Sequence, residues 1–97
     1  IDTRALAISG GDHAIKRIAW FTGAAQGFIE AAAESGVDAF VSGEVSEPTF
    51  HLAREMGIHY VAAGHHATER YGVQALAKVI AERFGIEQQF IDIPNPV

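Results

Sequence analysis

Along this 97-residue chain the spacing of apolar and polar positions changes period several times. Residues 4–9, RALAIS, form a short apolar stretch ahead of Gly10-Gly11 and predict an edge strand followed by a turn. Residues 15–21, IKRIAWF, are rich in β-branched and aromatic side chains and predict a stronger strand. TGAAQG, at 22–27, follows directly. Residues 26–35, QGFIEAAAES, carry the alanine content of a helix, and Gly36 supplies its stop. The pattern then recurs. VDAFV, at 37–41, predicts a strand, and Ser42-Gly43-Glu44 a turn. Ser46 is placed to cap a helix that admits Pro48 in its first turn and runs to Met56, where Gly57 ends it. IHYVA, at 58–62, predicts the next strand, and residues 64–66 the next turn. A helix follows from about Ala67 to Phe84, with Val73, Leu76, Ile80 and Phe84 on one face and Gly85 closing it. FIDI, at 90–93, predicts a last strand, stopped by Pro94 and Pro96.

Strands alternating with helices imply right-handed crossovers. The expected fold is therefore a single α/β domain, a mainly parallel sheet with helices packed on it. Near-continuous apolar strands suit a sheet covered on both faces. The 48% hydrophobic content is enough for one core. A formal net charge of −5 argues against general nucleic-acid binding. No apolar run reaches membrane-spanning length, and the absence of cysteine removes disulfide and thiolate chemistry. These features suit a cytoplasmic protein. The chain begins at Ile1, which suggests a processed product, an excised domain or a fragment.

Parallel strands would bring three strand-to-helix turns, 22–27, 42–46 and 64–69, to one sheet edge. Open α/β sheets place ligands there. His65 and Glu69 are four apart, so a helix starting near His65 puts both on one face. A neutral imidazole nitrogen and a carboxylate oxygen at that spacing can bind one divalent cation or bridge two. The same residues also suit a polar turn with Glu69 favoured by the helix dipole. Glu44 reads as a base, as a partner beside a metal ligand, or as a solvated turn carboxylate. His51 is expected to face solvent, His59 to be packed in its strand, and His13 to lie in a loop. TGAAQG lacks the lysine of a P-loop and fits a tight turn better than a phosphate cradle. Ser42, His51 and Tyr71 compose no nucleophilic triad.

Taken together, IAWFTGAAQGFIEAAAESGVDAFVSGEVSE, IHYVAAGHHATERYGVQAL and the closing FIDIPNPV resemble the carboxyl-terminal part of the bacterial dinuclear-metal proteins known as GTP cyclohydrolase 1 type 2 homologs, or Nif-three-like proteins. The resemblance extends over residues 14–97. GHHATERYG is its most specific motif, and TGAAQG and SGEVSE support it.

The resemblance implies that residues 1–97 are the carboxyl-terminal α/β domain of a two-domain protein, with two divalent metals at the domain interface. His65 and Glu69 would be metal ligands. Glu44, His66, Thr22, Gly23 and Gln26 would lie beside the metals or face a substrate. An amino-terminal domain would supply the remaining ligands, a histidine pair and an aspartate. Zinc, manganese, iron or nickel would suit nitrogen and oxygen donors. The resemblance further implies a homohexamer and a nucleotide substrate. The function expected is part of a metal-dependent hydrolase, with this chain alone inactive. The alternatives are a non-catalytic assembly or interaction module whose metal site is structural or vestigial and, less favoured, a small-anion binder using TGAAQG.

Overall fold

The computed structural model describes residues 4–97. Residues 1–3, with the Ile1 start, lie outside that range. Four short strands form one sheet: β1 (Leu6–Ile8), β2 (Ile18–Trp20), β3 (Ala39–Ser42) and β4 (His59–Ala62). Their order is β1-β4-β3-β2. β2, β3 and β4 run parallel, and β1 closes the far edge antiparallel to β4. The edge position expected for residues 4–9 is therefore observed. A 3-10 turn (Gln26–Phe28) leads into α1 (Ile29–Glu34). α2 (Glu47–Met56) and α3 (His65–Phe84) complete the α/β fold.

The elements follow local chemistry closely. Ser46 is the extended N-cap of α2, and its N–H donates to Thr49 Oγ1 at 3.1 Å. Glu47 and Pro48 occupy the first turn, where no N–H is missed. The core forms where α1 and α2 cover one sheet face. Phe40, Tyr60, Ile29 and Ile58 are all but fully buried there, with Ile8, Ala25, Ala32, Ala53 and Ala62 around them. Phe40 and Tyr60 meet edge to face on adjacent strands, their ring centroids 5.7 Å apart.

Three expectations need correction. First, 90–93 is not a strand: it pairs with neither edge strand, and this closing segment is held on the start of α3 instead, through Arg70–Asp92 and the His66 N–H to Val97. Second, among the described residues helices cover only one sheet face. Ile18 and Trp20 of β2 are exposed, at 52% and 72%. Third, α3 does not pack its apolar face on the sheet. It has no buried residue, and Val73, Leu76 and Phe84 stand more than half exposed. The helix begins at His65, two residues earlier than its periodicity indicates. Gly64 can break the chain direction at φ 96°.

Candidate metal centre

Three turns meet beyond the carboxyl ends of β2, β3 and β4. Their own main chains join them first. The Gly43 N–H donates to the Gly23 carbonyl at 2.8 Å, and the Gly64 N–H donates to the Gly43 carbonyl at 3.0 Å. This glycine ladder continues the sheet's pairing past the strand ends. It works because the glycines lack Cβ atoms. A Cβ at position 43 would press on the Gly23 backbone and come within 2.8 Å of the His65 Cα. Gly23 has φ 68°, and a Cβ there would strike the Glu69 carboxylate and the His65 ring. Buried Ser42 locks the first turn, donating from Oγ to the Gly23 carbonyl at 3.2 Å and accepting the Ala25 N–H at 3.1 Å.

His65 stands directly on this ladder, at the first position of α3. Its Nδ1 lies 2.5 Å from Glu44 Oε1, and its Nε2 lies 3.1 Å from Glu69 Oε2. An ionised carboxylate only accepts, so Nδ1 donates to Glu44. The Glu44 hydrogen bond, with the negative charge of Glu69 adding to it, raises the His65 pKa above the ordinary imidazole value. The pair of carboxylates thus favours positive charge at the ring. Glu44 is itself held: the buried Tyr60 hydroxyl donates to its main-chain carbonyl at 2.6 Å. Burial pushes the Tyr60 phenol pKa up, which keeps that hydroxyl protonated and donating.

These residues fit a divalent cation. Two ligands on one ion with bonds of about 2.1 Å sit roughly 3.0–3.4 Å apart for octahedral to tetrahedral angles. The separation of His65 Nε2 and Glu69 Oε2 is 3.1 Å. With Nδ1 committed to Glu44, the neutral ring offers its Nε2 lone pair on the side of Glu69. Metal-binding histidines are usually oriented in this way. The set is small: no group of three or more histidine, cysteine, aspartate or glutamate residues is arranged to hold an ion among the described residues.

The other candidates divide. His66 meets neither Glu44 nor Glu69; its Nε2 faces Asp92 Oδ1 at 4.0 Å. Thr22 is exposed on a groove of about 340 Å³ along the uncovered sheet face, shared with Trp20, Val41 and Tyr71. Gln26 donates to Ser46 Oγ at 3.1 Å, so it ties the first turn to α2 and not to the His65–Glu69 pair. Within TGAAQG, the Gly23 N–H goes to Thr68 Oγ1 and the Ala25 N–H to Ser42 Oγ, which suits the tight-turn reading over an anion cradle. His51 is exposed. His59 is packed, accepting the Gly10 N–H at Nδ1 and lying against His13 with the rings tilted and their centroids 4.2 Å apart.

Thr68 and Tyr60 are not among the residues the sequence reading singles out, yet both set the site. Thr68 Oγ1 donates within the first turn of α3 and accepts the Gly23 N–H, joining helix and ladder. A threonine four residues after a helix-opening glycine is the local cue that could have marked it.

Known proteins match the chain in sequence and in fold. The family model Duf34/NIF3 (NGG1p interacting factor 3) matches residues 2–96. A GTP cyclohydrolase 1 type 2 homolog of Allochromatium vinosum is 61% identical over 92 residues, covering 95% of this chain and 36% of that protein. One from Pseudomonas aeruginosa is 65% identical over 82 residues, covering 84% of this chain and 32% of that protein. The chain thus spans about a third of the length of the curated relatives it matches. Among solved structures, protein ybgI, described as of unknown function, aligns at TM-score 0.91 with 52% identity, over 97% of this chain and 38% of its own. TTHA1606 from Thermus thermophilus aligns at TM-score 0.87 with 32% identity, over 97% of this chain and 38% of its own. With a family model matching almost from end to end, the chain belongs to the Duf34/NIF3 family.

Proposed function

We propose that this chain supplies part of a dinuclear metal centre in a metal-dependent hydrolase, with His65 and Glu69 as ligands and the remaining ligands outside residues 4–97. The observation that carries the reading is the convergence of His65 Nε2 and Glu69 Oε2 at 3.1 Å with Nδ1 held by Glu44. The relatives' shared name, GTP cyclohydrolase 1 type 2 homolog, supports a nucleotide as substrate class.

Divalent ions held there would supply Lewis-acid polarisation of a substrate bond and activation of water at neutral pH. The chain's own residues do the rest. His65 presents Nε2 from the first turn of α3. Glu44 takes the Nδ1 proton as a hydrogen bond and fixes the ring plane. Glu69, one turn on, brings a carboxylate to the same side. The glycine ladder keeps side chains off the floor of the site.

Metal analysis of the full-length protein, alongside His65→Ala, is the direct test. Loss of bound metal in the variant is expected, and unchanged metal content overturns the proposal. The 97-residue chain alone is expected to show no GTP turnover. Chelator-sensitive turnover by it would contradict the view that the centre is shared. A second reading, an assembly module with a structural metal site, draws on the exposed apolar stripe of α3. Full-length protein that binds metal but hydrolyses neither nucleotides nor phosphoesters would favour it.

A further inference from the structure

α3 opens without the usual aids. Gly64 offers no side-chain cap, and the first turn holds no acidic residue. A helix start leaves four N–H groups without intrahelical partners. The closing tail, 90–97, meets one of them: the His66 N–H donates to the main-chain oxygen of Val97 at 2.8 Å. One turn further, Arg70 Nη2 donates to Asp92 Oδ2 at 2.8 Å, and the guanidinium lies 5.7 Å from the Phe90 ring centroid. The other oxygen of Asp92 faces His66 Nε2, a buried nitrogen without a hydrogen-bond partner, at 4.0 Å. Asn95 and Val97 then share an open cleft of about 260 Å³ with His65, His66 and Glu69.

The fastened positions, 66 and 70, each follow a proposed ligand, 65 and 69, by one residue. Successive residues are about 100° apart around a helix. A tail gripping 66 and 70 therefore fixes the helix rotation that aims 65 and 69. We propose that residues 90–97 are a strap that positions the metal-ligating start of α3, with Asp92 as its positioning side chain. The inference rests on the metal reading above. Asp92 touches neither His65 nor Glu69; it acts through Arg70 and His66. Its side chain is about half exposed, and ion pairs of that kind add little to folding. Its loss should therefore register in ligand geometry more than in stability.

The test uses full-length protein with Asp92→Asn, read by competition with a chromogenic chelator for cobalt(II) or zinc and by the visible spectrum of the cobalt(II) form. About tenfold weaker metal binding and a shifted cobalt spectrum are expected, with the thermal midpoint essentially unchanged. Wild-type affinity and spectrum in D92N overturn the strap. If D92N also loses stability, Asp92→Glu decides. Recovery of fold and affinity together supports the strap, and recovery of fold without affinity overturns it. His65→Ala run in parallel separates the two ideas. Unchanged metal binding in H65A overturns the metal reading and the strap with it. Loss in H65A beside wild-type behaviour in D92N overturns the strap alone.

Discussion

Glu44 shows how much one carboxylate can set. It touches His65 and no other proposed ligand, yet it fixes the ring's tautomer and raises its pKa. Glu44→Gln is expected to weaken metal binding about tenfold. In metal-free protein it should lower the His65 pKa, as followed by imidazole NMR shifts. Gly23→Ala is expected to cost about 1–3 kcal/mol, since alanine is strained at φ 68° and its Cβ meets Glu69. Urea unfolding measures the cost, and the same variant should bind metal less well. Asp38 offers a pH test away from the site. The backbone N–H groups of Lys16 and Arg17 donate to its carboxylate and lower its pKa. A depressed carboxylate pKa contributes stability above the unfolded value of about 3.9 that is lost as pH falls through the folded value. Asp38→Asn should therefore melt earlier than wild type at pH 7, and the two melting curves should converge as the pH falls below the lowered folded-state value.

At the level of elements, the legible parts were those written locally. The i, i+4 spacing of His65 and Glu69, the Ser46 cap and the Gly57 stop are all short-range, and each appears as its spacing indicates. The early start of α3 was not legible, because it depends on Gly64 pairing with Gly43 across the ladder. Nor was the fate of 90–93, whose strand-like pattern pairs with neither edge strand and whose Asp92 meets Arg70 of α3 instead. Asp92, Tyr60 and Thr68 act over separations of 16 residues or more, beyond any window that reads periodicity. Burial divides the apolar residues of α3 from the core in a measurable way. Phe40→Ala should cost about 3–5 kcal/mol in the 97-residue chain. Leu76→Ala, at a residue 60% exposed, should change stability by less than about 0.5 kcal/mol. Equilibrium unfolding of both variants separates the two classes, and equal costs would contradict the assignment of the core.

The molecule as a whole is elongated. Its radius of gyration is 16.0 Å, against about 12.5 Å for a compact domain of this length. α3 accounts for the excess, spanning about 30 Å with its later turns exposed. Exposed Ile18, Trp20 and Tyr71 on the groove side, with Leu76 and Phe84 along α3, leave much apolar surface in water. The 97-residue chain should therefore bind a hydrophobic dye such as ANS strongly, and Trp20→Ser with Leu76→Gln should reduce that fluorescence. Dye binding unchanged by the double variant would place the apolar surface elsewhere. The sequence showed the apolar stripes but not that they stay open, since periodicity marks a face without saying what meets it. The glycine ladder carries a consequence of another kind. A floor made of main chain gives selection almost nothing to vary. On the proposed function, any differences among relatives in what this site takes should therefore fall in its walls, at positions such as Asn95, while positions 23, 43 and 64 stay glycine.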